Sequence, residues 1–273
     1  MQHIFDTSAP TSVYVEIGSG NVAVRAEETA QTTIDVDGKD ADEVIVEQRD
    51  GQIVVIGPRR HAGFFGGDRD LRVRVSLPNG SELVTKLGSA DLTASGPLGV
   101  AKVRSGSGDV RLDQVTDEAL VETGSGDVTV GTAQTALRVK TGSGDVEVDT
   151  IGGEGSISTG SGDVEIGAAG GPVQARSGSG DLRVREARAG VELGTASGDL
   201  AVDRLHRGRA SLKNVSGDIH VGIPAGIPVW TDITSVTGSV SSSLAGAGEP
   251  AEGQDYIELR AKTVSGDVRL EHR

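Results

Sequence analysis

The stretch TGSGDVEV, residues 141–148, returns eighteen residues later as TGSGDVEI, residues 159–166. Aligned on the aspartate of this motif, the chain places Asp91, Asp109, Asp127, Asp145, Asp163, Asp181 and Asp199 at equal steps of 18. Asp218 follows after 19 residues, a degenerate copy puts Ser239 in the slot after 21, and Asp267 closes the series after 28. An early echo, IGSGNVAV, sets Asn21 in the same slot. Self-similarity at a fixed short period is the mark of a repeat architecture and is sought before any other feature.

The residues between the motifs repeat as well. Counted from each aspartate, apolar side chains recur at +1 and +3 (Val146 and Val148, Val164 and Ile166), at +6 (Ile151, Ala169) and at +10 and +12 (Leu137 and Val139, Val173 and Ala175). A spacing of two is the strand period, and nothing in the array follows 3.6. Each unit therefore reads as short strands joined by tight turns. A single unit cannot bury its apolar face, whereas stacked units can. The expected fold is all-β, a single elongated β-solenoid with 18-residue coils. Like residues of adjacent coils then lie about 4.8 Å apart. The glycines around each serine mark the corner of the coil, with the change of inward parity expected at the Gly-Asp step.

The bulk composition agrees with a slender core. Apolar residues make up 36% of the 273 and aromatics only 2%, while glycine is abundant at 41. The net charge of −14 argues against nucleic acid, which is held through clustered Lys and Arg. The absence of cysteine removes disulfides, thiolate metal sites and cysteine nucleophiles. The opening MQHIFDTSAPTSVYVEIGSG has neither a basic start nor an apolar run, and no segment approaches the ~20 apolar residues of a membrane helix. These features predict a cytoplasmic protein with no integral membrane segment.

Two regions depart from the period. Residues 1–85 contain strand-like runs and an Asp50-Gly51 pair between two apolar alternations, a hairpin signal. They are expected to form an irregular β cap and entry coils, with residues 86–273 as the repeat array of one continuous domain. Pro224, Pro228 and Trp230 mark a disturbed coil, and residues 245–255 an insertion before the last motif.

The copies SGSGDV, TGSGDV, TASGDL and VSGDI, together with VSLPNGSELVTKLGSADLTA at residues 75–94, give the chain a resemblance to a bacterial family of "putative adhesin" domains built from SGD-type β-strand repeats. It covers most of the chain. The resemblance implies a β-solenoid-like fold and carries no assigned catalytic residue.

Several constellations could carry function. Asp91, Asp109, Asp127, Asp145, Asp163, Asp181, Asp199, Asp218 and Asp267 would form a ladder of carboxylates, repelling by about 1 kcal/mol per neighbour in water. The simplest offset is backbone N–H donation at the corner. A ladder of calcium ions is the functional alternative, although calcium-binding glycine–aspartate repeats have a nine-residue period. The hydroxyl columns Thr123, Thr141, Thr159, Ser177, Thr195 and Ser107, Ser125, Ser143, Ser161, Ser179, Ser197 are both expected to point inward and bond from coil to coil. The five histidines, at 3, 61, 206, 220 and 272, lack the spacing of a zinc site or a catalytic triad. Phe64 and Phe65, adjacent in a Gly-flanked loop beside Arg59 and Arg60, are candidates for partner binding or for a lid on the solenoid end.

The sequence thus predicts a non-enzymatic repeat scaffold or protein-interaction module, without cofactor, binding a protein partner or itself through an end or exposed edge. A surface adhesin-like or calcium-binding module is the alternative, and a polysaccharide-acting β-helix enzyme the third.

Overall fold

A computed structural model describes residues 1–58, 71–244 and 255–273. The chain is all-β and solenoid-like; among the described residues the only helical turn is the three-residue 3-10 segment Ala41–Glu43. Two units are distinguished, Met1–Gln134 and Thr135–Arg273.

In the second unit the alternation of apolar and polar residues produces strands that are buried on one face only. Val164–Ala169 shows this directly, with Val164, Ile166 and Ala169 buried. Parallel pairing joins each strand to its counterpart one repeat away: Val146 with Val164, Val164 with Leu182, Leu182 with Leu200. A second sheet is built the same way, with Gly155 on Val173 and Val173 on Val191. Parallel strands need both faces covered or a crossover between them, and here the other sheet's strand serves as the crossover.

The two sheets share a thin core of Val, Leu, Ile and Ala. Where +6 is small (Ala133, Ala169, Ala187) the facing position is Leu137, Val173 or Val191, and where +6 is large (Val115, Ile151, Leu205) it is Ala119, Gly155 or Ala210. A Cβ at Gly155 would meet Ile151 Cδ1 at 2.9 Å and Val173 Cγ2 at 3.1 Å. Volume is thus exchanged across the core at nearly constant sum, the kind of swap that close-packed interiors tolerate.

Strand order departs from chain order near the C-terminus. Asp267 and the strands around it enter between those of residues 208–223 and 229–242: Lys213 pairs with Lys262, and Thr234 pairs with Lys262 from the other side. The outermost strands of this unit are therefore Val229–Thr237 and Val240–Ser242, not the last ones in the chain.

The first unit repeats the device at its own start. Ser12–Ile17 and Asn21–Glu27 stack in parallel on Glu82–Leu87 and Asp91–Leu98, with Ser12 on Glu82 and Asn21 on Asp91. The chain between them makes an excursion that includes antiparallel pairs, Gln31–Asp37 on Arg72–Pro78 and the hairpin Ile45–Arg49 with Gln52–Ile56, and the opening strand Gln2–Asp6 adds to Gln31–Asp37, also antiparallel. The expected Asp50-Gly51 turn closes that hairpin, with φ of 49° and 83° at its two central residues, the positive pair that a tight hairpin favours. The fixed period is hidden in residues 1–85 because strands that pair there are separated by an excursion rather than by one repeat.

The exchange at Ile151 gives a core test. Gly155→Val alone should destabilise by about 1–3 kcal/mol through overpacking. Adding Ile151→Ala, which restores the Ala–Val arrangement of the next repeat, should recover most of that loss. Denaturant melts of the two single variants and the double variant measure the coupling.

Candidate functional site: the aspartate corner

The sequence Thr-Gly-Ser-Gly-Asp turns the chain from one sheet to the other, and the turn begins at the threonine. Thr141, Thr159 and Thr195 are buried, while the following Gly, Ser and Asp reach the surface. The buried hydroxyls donate to corner carbonyls, Ser161 O and Ser197 O among them, which also accept backbone N–H groups from Gly144 and Gly180. Thr159 Oγ1 donates to Ser161 O at 3.1 Å, and Thr195 Oγ1 donates to Ser197 O at 3.1 Å and to Gly180 O in the preceding repeat at 3.2 Å. Asn214 extends the series with an amide that donates to both Gly198 O and Gly217 O.

The serine column does not share that orientation. Ser107, Ser125, Ser143, Ser161, Ser179 and Ser197 are exposed, so inward parity is lost at the first glycine of the motif rather than at the Gly-Asp step. Gly162 has φ +139° and Gly180 φ +140°, a region closed to ordinary L residues, and a Cβ on Gly162 would overlap the carbonyl oxygen of Gly144 beneath it. Ser107 is exposed in the same way although Gly108 lies outside that region, so the outward serine is a property of the corner and not of the left-handed step.

The aspartates then form a continuous hydrogen-bonded series within each unit. In the first, the Asp109 N–H donates to Asp91 Oδ1 at 3.0 Å and the Asp127 N–H to Asp109 Oδ1 at 3.1 Å. In the second, Asp163 donates to Asp145 and Asp181 to Asp163, each at 2.8 Å. Asp199 donates to Asp181 and Asp218 to Asp199, each at 2.7 Å. Asp267 donates to Asp218 at 2.8 Å, and Ser239 to Asp267 at 2.8 Å. Each carboxylate thus binds the backbone N–H of the next repeat. Charge-assisted bonds of this length are stronger than neutral ones and offset the repulsion between stacked carboxylates. Two such bonds, from the Ser239 backbone and side chain, hold the Asp267 carboxyl below its ordinary range.

Other titratable groups sit in ion pairs on the outer faces. Lys102 and Ser12 hydrogen bonds lower the Glu82 carboxyl, and Arg176 lowers that of Glu192. His206 lies 3.3 Å from Glu186, and His220 4.0 Å from Glu271. Among the described residues no group of three or more His, Asp or Glu is placed to hold a metal ion. An open depression of about 550 Å³ borders Gly190, Arg207, Arg209, Asp255 and Tyr256, and its cations face Asp255 and Glu258. Phe64 and Phe65 lie outside the described residues.

The sequence reading missed an exposed apolar row. At the first glycine of the motif the regular repeats have Gly142, Gly160 and Gly178, but the later ones have Ala196, Val215, Val264 and Val236. Val215 is 55% exposed, Val264 49% and Val236 68%, and pairing of their neighbours puts them on three adjacent strands. Trp230, on the same outer face as Val236, is 59% exposed. The signal was present in the alignment of motifs, as a Gly-to-Val change at one column.

A family model described as Toastrack DUF4097 matches residues 11–271. The chain belongs to this family. Solved structures similar to it include a "putative adhesin" from Bacteroides fragilis NCTC 9343, 13% identical, covering 98% of this chain and 96% of that one with a TM-score of 0.43. A second "putative adhesin", from Parabacteroides merdae ATCC 43184, is 15% identical, with 99% and 95% covered and a TM-score of 0.46. A "putative lipid binding protein" from Parabacteroides distasonis ATCC 8503 is 13% identical, with 100% and 96% covered and a TM-score of 0.34. No curated protein matches the chain.

The ladder has a pH signature. The Asp267 carboxyl is depressed in the folded chain, so its contribution is present above the unfolded carboxylate value and is lost as pH falls through the folded value. Asp267→Asn keeps an acceptor for the Ser239 N–H but cannot titrate. Its stability should fall less steeply with acid than that of the parent, while Asp267→Ala should be the least stable of the three at neutral pH. Urea melts across the acid range measure both.

Proposed function

We propose that this Toastrack DUF4097 chain is a non-enzymatic interaction module, an SGD-type repeat scaffold whose partner is a protein, self-association included. The observation that carries this reading is the valine row Val215, Val264, Val236, which replaces glycine at an exposed corner. A β-branched side chain left about half exposed or more gains little from folding, and contiguous exposed apolar surface marks a contact site. The adhesin-like names of the similar structures point the same way. The eighteen-residue coil and the N-terminal β cap belong to the same reading, supported by bonds between aspartates whose positions differ by 18. A cytoplasmic setting is part of the proposal, and fractionation of the native host checks it.

The aspartate corner is read as structural. Each carboxylate has one oxygen committed to the next repeat, so a cation would compete with bonds that hold the stack. Melting in calcium and in chelator should therefore give the same midpoint, whereas a specific ligand of the folded state would raise it. Affinity capture from native lysate should yield a protein that the parent retains and a Val215→Lys, Val264→Lys variant loses. Equal capture by both would end the assignment of the valine row.

A further inference from the structure

The outermost strand of the second unit, Val229–Thr237, pairs with Ile257–Ser265 on one side, and among the described residues no strand lies on its other side. The same holds for Val240–Ser242, paired only with Val268–His272. Their inward positions continue the core but are left open. Val240 is 51% exposed, although Val268, with which it pairs, is 0% exposed. Val229 and Ile233 are only half-buried, whereas their counterparts Ile257 and Ala261 are fully buried.

Among the described residues nothing in this edge protects it. Solvent-facing edge strands are commonly guarded by charges, proline, bulges or a covering segment. In VWTDITSVTGSVSSSL, residues 229–244, Asp232 is the only charged side chain, in a chain that is 24% charged. The outermost strands of the first unit contrast with it, being antiparallel and charged: Gln2–Asp6 ends in Asp6, and Ile45–Arg49 carries Glu47 and Arg49. An open parallel edge with its core uncovered and its charge removed fits the addition of a strand.

We propose that the added strand is Val229–Thr237 of a second copy of this chain, in a two-fold antiparallel pair centred on Ile233. The sequence of the edge is complementary to itself about that point. Ile233 would meet the second copy's Ile233, and Thr231 its Ser235, on the inward side. On the outward side Asp232 would meet Thr234, so the two Asp232 carboxylates are not opposed. Trp230 would meet Val236, twice over, joining the two most exposed large apolar side chains of the strand as cross-strand pairs. A two-fold contact uses the same patch on both copies, which a self-complementary strand supplies, and it closes without leaving a further edge of this kind. The low charge of the edge also lets two chains of net charge −14 approach there with least repulsion. The proposal rests on the reading of the chain as an interaction module and names one partner for it.

The test uses the full chain and its single tryptophan. Sedimentation equilibrium should give a monomer–dimer equilibrium, and Trp230 emission should move to the blue over the same concentration range. Trp230→Glu and Val236→Lys should each weaken dimerisation by about tenfold or more, an unmatched charge now facing an apolar side chain. The double variant Trp230→Glu, Val236→Lys should regain most of it in low salt, because Glu at 230 then faces Lys at 236 of the other copy, and the recovery should fade as salt rises. Both positions are exposed, so circular dichroism melts should match the parent. A parent chain that stays monomeric at all concentrations overturns the proposal, whether Trp230 emits as a buried or an exposed indole. So does a dimer that the single changes leave intact, or a double variant no better than the singles. A monomer that still captures a protein through Val215 and Val264 would sink this inference alone and leave the interaction-module reading standing.

Discussion

The structure depends on how closely one repeat can lie over the next at the aspartate corner. Backbone passes over backbone there with no room for a Cβ at Gly162, and serine and aspartate both face outward. That outward turn puts each carboxylate where the next N–H arrives, at 2.7–3.1 Å along the series. Glycine and aspartate are therefore one device. The glycine lets one repeat lie close over the next, and without the carboxylate the exposed N–H at the corner would have only water. A series of like charges, unfavourable by itself, becomes tolerable because each charge has a donor from the neighbouring repeat.

The core follows from the same spacing. Parallel strands separated by one repeat place like over like, so every column is a stack of similar side chains, and the two sheets meet over small aliphatic groups. Large aromatics would force the sheets apart in one repeat and not in the next. The exchange of Ile151 against Gly155 shows the tolerance of the arrangement: volume can move from one sheet to the other within a repeat, but the sum is held. Buried threonines complete the interior by giving their own hydroxyls an acceptor at the corner, as Thr159 does at Ser161 O and Thr195 at Ser197 O and Gly180 O.

Much of this was legible in the sequence because period, parity and turn chemistry agreed. The alternation around Val146 and Val164 gave strands, and the equal steps of aspartate gave their stacking. Asp50-Gly51 gave its hairpin because a two-residue turn is decided locally. What escaped was set by contacts distant in the chain. Nothing local says that Asn21 lies over Asp91, or that Asp267 enters between Asp218 and Ser239. The orientation of the serines failed for a narrower reason: alternation was carried through Gly160 to Ser161, and parity counting assumes extended backbone throughout, which the corner does not keep. The valine row was missed because each motif was read for the residues it shares, and the row lies in the column where the last repeats differ.

The order at the C-terminus explains why the degenerate copy is degenerate. A carboxylate in this series is useful only if a repeat beyond it brings an N–H. Asp267 has one, from Ser239, although Ser239 precedes it in the chain. Among the described residues the repeat containing Ser239 is outermost, and a carboxylate there would project beyond the last of their donors, repelled by Asp267. Serine in that slot removes the charge where the hydrogen bond runs out. Thr237 and Val240 on either side are uncharged too, and Asp232 is the one charge along the whole edge. Loss of the motif is thus a consequence of position: the rule that places aspartate within the stack is the rule that excludes it from the end, and it leaves that end neutral, apolar and open on its backbone side.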